Sequence, residues 1–377
     1  MKKVLFVATV YKFLNFERSD MELLKHMGYQ IHTATNMREA DWLKDDGSLD
    51  YLDIIKHQID FDRYPFSYSS IKAYKQLKKL LNEEKFDLIH CHTPVASAIL
   101  RFAAIRSRRI GTKVIYTDHG FHFHKSSGFK SWLLYYPIEF IMAFFTDMII
   151  TVNKEDFEII QRFPVKEKRY IPGVGVDVNK IVSLSPCKER LRNEYNIPLD
   201  AFVIMSVGEL SVRKNHAVII EALSRIPDKN LYYLICGTGH KMEDLKLLAK
   251  ERGVAERVIF IGQLPHDKVL ELGHIVDVGA IPSLIEGLGL AGIETLSAGK
   301  PMIGSNVHGI KDYVIDNITG ISCAPYDIES FKNAILKLYT DREYYSKCCQ
   351  NCVDKAFEFN IMTVRKLMQE NYDFMLS

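Results

Sequence analysis

The chain has 377 residues, of which 47% are hydrophobic and 25% are charged, and its formal net charge at pH 7 is +2. The length suits two domains of ordinary size, the composition is that of a globular protein, and so small a charge argues against a dedicated nucleic-acid-binding protein. Seven cysteines are scattered along the chain, and this odd number favours a reducing compartment over a disulfide framework.

The first half of the chain alternates short apolar runs with helical patterns. Nearly continuous, β-branched runs are typical of parallel strands that are covered on both faces. Five runs predict strands, at residues 4–10, 31–35, 88–92, 114–119 and 148–152. The alternation of strand and helix predicts a doubly wound sheet. The first run is too short for a signal peptide, and no run of about 18 apolar residues predicts a transmembrane helix.

The pattern restarts after a polar stretch that contains Pro172, Gly173 and Gly175. Six more runs predict strands, at residues 202–208, 232–237, 258–262, 278–283, 302–305 and 320–323. Two smaller sheets are favoured over a single large one, because open sheets rarely exceed about ten strands. The sequence therefore predicts two Rossmann-like α/β domains, residues 1–172 and residues 173–359.

One segment of the second domain, SLIEGLGLAGIETLSAGKPMIGS at residues 283–305, carries two carboxylates, Glu286 and Glu294. A loop with Gly287 and Gly289 lies there between a strand end and a helix start. Free backbone N–H groups and the helix dipole at such a loop favour a phosphate, and carboxylates can accept hydrogen bonds from hydroxyls on either side of it. Hydroxyl, phosphate, hydroxyl is the layout of a nucleotide sugar.

This segment resembles the E-x7-E signature of retaining glycosyltransferases of family 4. The likeness extends along nearly the whole chain and looks closest to enzymes of bacterial capsule and exopolysaccharide synthesis. The resemblance implies the GT-B fold, in which two Rossmann-like, doubly wound domains face each other across a cleft. It also implies that the final helix, about residues 360–377, packs back on the first domain.

The resemblance further implies roles for the residues of the segment. Glu286 binds hydroxyls of the donor sugar, and Glu294 binds the ribose. Backbone N–H groups of the loop hold the sugar and the β-phosphate, and they belong to Gly287, Leu288, Gly289 and Leu290.

The loop after the first strand of the second domain is also predicted to contact the donor, because ligands bind at the carboxyl ends of strands in open α/β sheets. Gly208 ends the strand, and Arg213 and Lys214 precede a helix, where two cations can neutralise a diphosphate. The family places an arginine where this chain has Glu209, and an acid cannot replace it. Arg213 is therefore a candidate to compensate.

Two further strand ends of the second domain give weaker candidates for donor contact. Gly237 and Gly239 form a glycine turn, and the equivalent turn faces the nucleotide in the family. Gln263 lies where family members contact the base through backbone groups.

In the first domain, His119 ends a predicted strand and precedes Gly120. It is therefore expected at the carboxyl edge of the sheet, where ligands bind. In the family this histidine lies near the donor sugar and supports the transition state electrostatically. The predicted catalytic residues are thus His119 and Glu286.

No metal or other cofactor is expected. Two pairs of histidines have an i, i+2 spacing compatible with ligation in strands: His90 with His92, and His122 with His124. No carboxylate pattern accompanies them. Asp60 and Asp62 spell DFD, which resembles a metal–diphosphate motif of the other large glycosyltransferase fold, but the sequence RYPFS follows and no glycine loop is near. We interpret DFD as a solvated loop.

The aromatic stretch at residues 128–145 has two interpretations. The favoured one is a buried helix beside the cleft. The alternative is an interfacial helix with Trp132, Tyr135 and Tyr136 near lipid headgroups. In both cases Pro137 is expected to interrupt or kink a single long helix.

The sequence thus predicts a metal-independent retaining glycosyltransferase. It moves a hexose or N-acetylhexosamine from a nucleotide diphosphate sugar, for which UDP is the first choice, to a glycan or lipid-diphosphate-linked acceptor. We expect it in the cytoplasm, with a peripheral contact to the inner face of the plasma membrane as an open alternative. Two rival functions remain: a nucleotide-sugar 2-epimerase of the same fold, and a non-catalytic glycan-assembly subunit.

Overall fold

The computed structural model describes residues 2–38, 47–62, 67–125 and 127–377. The chain divides into two compact units, which we call the first unit (residues 1–174 and 362–377) and the second unit (residues 175–361). The division lies close to the sequence-based boundary at residues 172 and 173. It also assigns the C-terminal helical residues to the first unit.

Within its described residues, the first unit is built on a seven-stranded sheet. Its strands are β1 (Lys3–Val10), β2 (Gln30–Asn36), β3 (Ile55–Gln58), β4 (Leu88–Cys91), β5 (Lys113–Asp118), β6 (Met148–Thr151) and β7 (Glu167–Tyr170). The spatial order is β3-β2-β1-β4-β5-β6-β7, and every neighbouring pair is parallel. The apolar runs of the inner strands β4 and β6 are buried along their whole length, as expected for a sheet covered on both faces.

The two edge strands, β3 and β7, have no counterpart among the predicted strands. Their sequences, IKHQ and EKRY, contain no apolar run, and none of their residues is buried. An edge strand pairs on one side only and is covered less than an inner one. Hydrophobic periodicity therefore does not reveal these two strands.

Helices cover both faces of this sheet. They are α1 (Arg18–His26), α2 (Tyr68–Glu83), α3 (Pro94–Ala103), α4 (Ile105–Arg109), α5 (Phe129–Ala143) and α6 (Lys154–Ile160). Leu77 of α2 and Leu100 of α3 belong to one core cluster, whereas Met21 of α1 belongs to another. Helix α5 continues through Pro137 without interruption, and a kink at Pro137 stays a prediction.

The second unit, residues 175–361, contains a six-stranded parallel sheet. Its strands are β8 (Phe202–Val207), β9 (Leu231–Cys236), β10 (Val258–Gly262), β11 (Val278–Ile281), β12 (Met302–Ser305) and β13 (Gly320–Cys323). All six correspond to predicted apolar runs. The spatial order is β10-β9-β8-β11-β12-β13.

The remaining helices complete the two units. They are α7 (Val178–Ser183), α8 (Lys188–Glu194), α9 (His216–Ser224), α10 (Met242–Glu251), α11 (His266–Ile275), α12 (Leu290–Ser297), α13 (Ile328–Thr340), α14 (Arg342–Phe357) and α15 (Ile361–Leu376). Val364, Met368 and Tyr372 of α15 pack into the same core cluster as Phe6 of β1. Among the described helices, none is both long and apolar enough to cross a membrane.

In each sheet the strand order reverses direction at one point. In the first unit this point lies between β1 and β4, and in the second it lies between β8 and β11. The loops that leave these strand pairs diverge to opposite faces of the sheet and leave a crevice at its carboxyl edge. The two crevices are therefore the places to look for bound ligands.

Candidate active site

In the second unit, the loop after β8 is tied to neighbouring loops at the carboxyl edge. It contains a short 3-10 helix, Val212–Lys214, which ends at Asn215 in the left-handed conformation with φ of 53°. The Asn215 side-chain amide donates to the carbonyl oxygens of Pro282 (3.1 Å) and Pro325 (2.8 Å). Because Pro282 follows β11, these hydrogen bonds hold the basic residues of one loop against the loop that carries the first signature glutamate.

Three side chains converge on the carboxylate of Glu286. Its Oε2 lies 2.5 Å from Lys214 Nζ and 3.3 Å from Arg213 Nη1, and it accepts a hydrogen bond from Ser283 Oγ at 3.2 Å. Arg213 also donates to the carbonyl oxygen of Ile285 at 3.2 Å. The side chains of Glu286 and Lys214 are 13% and 15% exposed, and that of Arg213 is 46% exposed. The predicted cations and the predicted glutamate thus form one partly shielded cluster.

The predicted glycines after β8 and β9 let the two loops touch. A Cβ atom at Gly237, where φ is 147°, would lie 1.9 Å from the carbonyl oxygen of Gly208, and one at Gly239 would lie 2.4 Å from that of Leu210. Close packing alone therefore requires glycine at Gly237 and Gly239. Glu209, at the usual arginine position, is exposed.

The loop between β11 and α12 ends at Gly289, which has a φ of 85° and precedes the helix without a side-chain cap. Gly292 N already donates to the carbonyl oxygen of Gly289 at 2.9 Å, so the N–H groups of Leu290 and Ala291 are the candidates in the first turn for a ligand. A Cβ atom at Gly289 would lie 2.5 Å from Ile281 Cδ1, so a larger residue would have to push this methyl group aside and adopt a left-handed backbone conformation. Leu288 is buried, whereas Gly287 and Leu290 are half-buried.

The second signature glutamate has a partner that sequence reasoning missed. Oε1 of Glu294 lies 2.8 Å from Nε2 of His266, the first residue of α11. The hydrogen bond to Glu294 raises the pKa of His266 above its ordinary value of 6.5, although partial burial opposes the effect. A ribose that binds Glu294 must therefore share or displace this imidazole. Gln263 is exposed directly after β10.

In the first unit, the loops after β1, β4 and β5 bring Glu17, His92 and His119 together. Glu17 Oε1 lies 3.2 Å from Nε2 of His119 and 3.5 Å from Nδ1 of His92, and the two ring nitrogens are 3.4 Å apart. Glu17 and His92 are buried, whereas the side chain of His119 is 21% exposed. Burial holds the pKa of His92 well below its ordinary value, and the neighbouring His90 and His119 act in the same direction.

A buried hydrogen-bonded chain lies behind this cluster. The Tyr372 hydroxyl donates to Asp20 at 2.8 Å and lies 2.8 Å from Nδ1 of His90, whose Nε2 is 2.7 Å from Thr117 Oγ1. Burial, together with the charge of Glu17, raises the pKa of Asp20 to about 8, and burial lowers the pKa of His90 to about 3. His90 is therefore a neutral, hydrogen-bonded core histidine, which leaves it no free nitrogen for a metal.

Asp60 of the DFD motif is not the solvated loop residue that we expected. Its carboxylate lies 2.5 Å from Lys72 Nζ and accepts hydrogen bonds from Gln58 (2.9 Å) and Gln76 (3.2 Å). The hydrogen bond from Lys72 and that from Gln58 hold the pKa of Asp60 below its ordinary value. These contacts occupy both oxygens, which gives Asp60 a structural role. Residues 63–66 of the following sequence lie outside the described residues.

Comparison with known proteins decides the family. Residues 21–180 match the sequence profile described as Glycosyltransferase Family 4, and residues 188–354 match that of Glycosyl transferases group 1. The chain is 34% identical over 366 residues to the provisionally assigned glycosyltransferase EpsD of Bacillus subtilis (strain 168), with 95% of this chain and 93% of that protein covered. The chain belongs to glycosyltransferase family 4.

One further relative in sequence and one solved structure are similar to this family 4 glycosyltransferase. It is 31% identical to an Escherichia coli UDP-Gal:α-D-GlcNAc-diphosphoundecaprenol α-1,3-galactosyltransferase, with 76% of each chain covered. The structure of Anabaena Alr3699/HepE with UDP and glucose superposes with a TM-score of 0.80 at 18% identity, with 99% of this chain and 100% of that chain covered. The predicted family and the predicted GT-B fold of two Rossmann-like domains are confirmed. The donor contacts of individual residues stay predictions.

Proposed function

We propose that this family 4 glycosyltransferase moves a hexose or N-acetylhexosamine from a nucleotide diphosphate sugar to a glycan or lipid-diphosphate-linked acceptor, in surface polysaccharide biosynthesis. The observation that carries the proposal is the cluster of Lys214, Arg213 and Glu286 at the crevice of the second unit. Two cations suit the diphosphate of the donor, and the carboxylate beside them suits the sugar hydroxyls next to it.

Arg213 can make the diphosphate contact that the family makes through an arginine at the position of Glu209. Its guanidinium lies 3.3 Å from the Glu286 carboxylate that Lys214 also contacts, so both cations stand on the same side of the loop. Nearly half of the Arg213 side chain is exposed and can turn toward a ligand. We infer that Arg213 and Lys214 share the diphosphate charge.

A transfer that retains the anomeric configuration proceeds either through a covalent intermediate or by attack of the acceptor hydroxyl on the face of the sugar from which the diphosphate leaves. A double displacement needs a carboxylate nucleophile at the anomeric carbon. Glu286 is held by two cations and by Ser283, which reduces its nucleophilicity and suits it to binding hydroxyls. The proposed mechanism is therefore a front-face displacement, in which the leaving phosphate accepts the proton of the acceptor hydroxyl and His119 supports the transition state.

The comparisons support a uridine nucleotide and a lipid-linked acceptor. The Escherichia coli relative is named for UDP-Gal and for a diphosphoundecaprenol-linked acceptor, and the Anabaena neighbour was solved with UDP. The proposed diphosphate site needs no Mg²⁺, because Lys214, Arg213 and the first turn of α12 supply positive potential.

The donor site predicts that UDP raises the melting temperature and that EDTA does not abolish the rise. A ligand at 100 times its dissociation constant that binds only the native state adds about 2.7 kcal/mol of stability. Thermal unfolding with UDP, GDP, ADP and CMP, each with and without EDTA, measures this effect. Loss of the UDP shift in EDTA would contradict the metal-free site, and no shift with any nucleotide would favour the binding-subunit alternative.

The rival functions differ from transfer in their products. A nucleotide-sugar 2-epimerase converts the donor without an acceptor, so incubation with donor alone followed by separation of isomers distinguishes it. Any turnover of the donor eliminates the non-catalytic subunit. The intact cluster at Glu286 argues against that subunit.

We also propose that α5 of the first unit rests on the membrane surface. Trp132, Tyr135 and Tyr136 are partly buried and pack against the core. The helix is not the buried one that the sequence favours, because its buried residues are Glu139 and Ala143. The exposed face is apolar instead: Phe129, Leu133, Leu134, Ile141 and Phe144 are each at least 43% exposed. The first four belong to α5, and Phe144 directly follows its last residue. At 3.6 residues per turn the five positions fall within about 140° of the helix circumference, so they share one side of the helix.

Basic residues flank this apolar face, which suits an anionic lipid surface. Arg108 of α4 donates to the Phe144 carbonyl oxygen at 3.1 Å, so α4 lies beside the end of α5. The neighbouring Arg106 and Arg109 are exposed, as is Lys130 within α5. An apolar helix face with cations beside it is the pattern of an interfacial helix, and it would place a cytoplasmic enzyme next to a lipid-linked acceptor.

Flotation with lipid vesicles tests the membrane proposal. The protein is expected to float with vesicles that contain anionic lipid and less with neutral ones, and Leu133→Gln with Ile141→Gln is expected to abolish flotation. Leu247→Gln is the matched control, because Leu247 is a 56% exposed leucine on α10 of the second unit. Failure of the unaltered protein to float, or equal flotation of the double variant, would contradict the proposal.

A further inference from the structure

Three ligand-type atoms of the first unit form a nearly regular triangle. Glu17 Oε1, His92 Nδ1 and His119 Nε2 are separated by 3.2, 3.4 and 3.5 Å. Zinc with ligands at about 2.0–2.1 Å in tetrahedral geometry requires ligand–ligand separations of about 3.3–3.4 Å. The triangle therefore has the dimensions of one face of a tetrahedral zinc site.

The chemistry of the three groups agrees with these dimensions. Two imidazole nitrogens and one carboxylate oxygen suit Zn²⁺ and similar transition ions, whereas Mg²⁺ and Ca²⁺ prefer oxygen ligands throughout. Glu17 is 4% exposed, and its Oε1 has no hydrogen-bond partner of good geometry among the described residues. The salt-bridge partners described for Glu17 are these two imidazoles. A buried carboxylate of this kind is costly without a cation beside it.

We propose that Glu17, His92 and His119 form a binding site for a divalent transition ion of the zinc type. His119 is the partly exposed member, so the fourth coordination position opens toward solvent, where a water molecule can complete the tetrahedron. This site is distinct from the metal-free diphosphate site of the second unit. Among the described residues, this is the one group of three or more His, Cys, Asp or Glu side chains whose ligand atoms lie close enough together to hold a metal ion.

Occupancy has a consequence that rests on the proposed function. The ion takes the Nε2 lone pair of His119, so this histidine is no longer available to support the transition state of transfer. Zinc is therefore expected to inhibit transfer reversibly, and a chelator is expected to restore the activity. The site would act as a zinc-sensitive brake on the enzyme.

Calorimetric titration of the chelator-stripped, tag-free full chain with Zn²⁺ tests the site without using activity. One zinc ion per chain is expected to bind the unaltered protein. Glu17→Gln and His92→Gln are each expected to lower the zinc affinity by more than about tenfold, since even indirect partners of a metal contribute about 10–100-fold. His26→Gln is the matched control, because His26 is an exposed histidine of α1. Equal affinity in all four proteins, or no zinc binding, would overturn the proposal.

Cobalt spectroscopy on the unaltered protein covers the case in which a variant misfolds. Co²⁺ at this site is expected to give the intense visible absorption of a four-coordinate ion, and weak six-coordinate bands would overturn the proposal. An assay with UDP-sugar then measures inhibition by Zn²⁺ and its reversal by EDTA. If the enzyme shows no transfer at all, the proposed function fails while the calorimetry still decides the metal site.

Discussion

Replacement of Glu286 by glutamine is expected to lower kcat for sugar transfer by about 10- to 150-fold without unfolding the protein. Hydrogen bonds to a charged group contribute about 1.5–3 kcal/mol, and a factor of ten in rate corresponds to about 1.4 kcal/mol. Glutamine keeps the size of the side chain but removes its charge. Because Lys214 and Arg213 then lose their competing partner, they remain available to the diphosphate, so binding of UDP is not expected to weaken.

The matched control for this variant is Glu329→Gln on α13. The Glu329 carboxylate is also contacted by an arginine and a lysine, Arg225 and Lys332, but it is half-exposed and lies outside the signature segment. The rate of sugar transfer by Glu329→Gln should stay within about twofold of that of the unaltered enzyme, since exposed ion pairs contribute at most about 1 kcal/mol to stability. Near-normal kcat in Glu286→Gln would remove Glu286 from the catalytic set. A UDP thermal shift like that of the unaltered protein would show that the donor site survives the substitution.

The second unit is well predicted from sequence because its chemistry lies within short segments. Each of its strands is an apolar run, and each run ends in a glycine or a polar loop at the carboxyl edge. Gly287, Gly289 and both signature glutamates fall within one such loop and the helix after it. The sequence could not show that Asn215 ties the lysine loop to Pro282, because that contact joins residues 67 positions apart.

The first unit was predicted less completely, and the reason is spatial. His92 follows β4 and His119 follows β5, and both were considered from the sequence. Their carboxylate partner Glu17 follows β1, which lies beside β4 only because the strand order reverses there. Sequence spacing therefore pairs His92 with His90 and gives no reason to join His119 or Glu17 to it. The polar edge strand β3 was missed for a different reason, since its sequence has no apolar run.

The helices over one face of the first sheet are joined by a buried ion pair that sequence patterns do not reveal either. Arg101 of α3 and Glu139 of α5 are 0% and 6% exposed at the side chain, and Arg101 Nη2 lies 2.7 Å from Glu139 Oε2. The guanidinium also lies 4.2 Å from the ring centroid of Tyr116 in β5, and its Nε donates to the Ser97 carbonyl oxygen at 3.2 Å. The pair thus fixes α5, with its exposed apolar face, onto the sheet.

Replacement of Arg101 by leucine is expected to lower the unfolding free energy of the first unit by about 3–5 kcal/mol, because it leaves the Glu139 carboxylate buried without a partner. The chain's two tryptophans, Trp42 and Trp132, both precede residue 174, so tryptophan fluorescence in a denaturant titration reports on this unit. Lys125→Met is the control: it breaks an exposed pair with Glu158 and should cost less than about 1 kcal/mol.

A double variant separates loss of the ion pair from loss of packing. With both Arg101→Leu and Glu139→Leu, no charge is left buried, and replacing a buried pair by apolar residues is often neutral or stabilising. The double variant is therefore expected to recover most of the stability that Arg101→Leu loses. If Arg101→Leu shifted the unfolding midpoint no further than Lys125→Met does, the buried pair would not be what holds α3 against α5. If the double variant were as unstable as the single one, the loss would come from the contact of the guanidinium with Tyr116 and from packing.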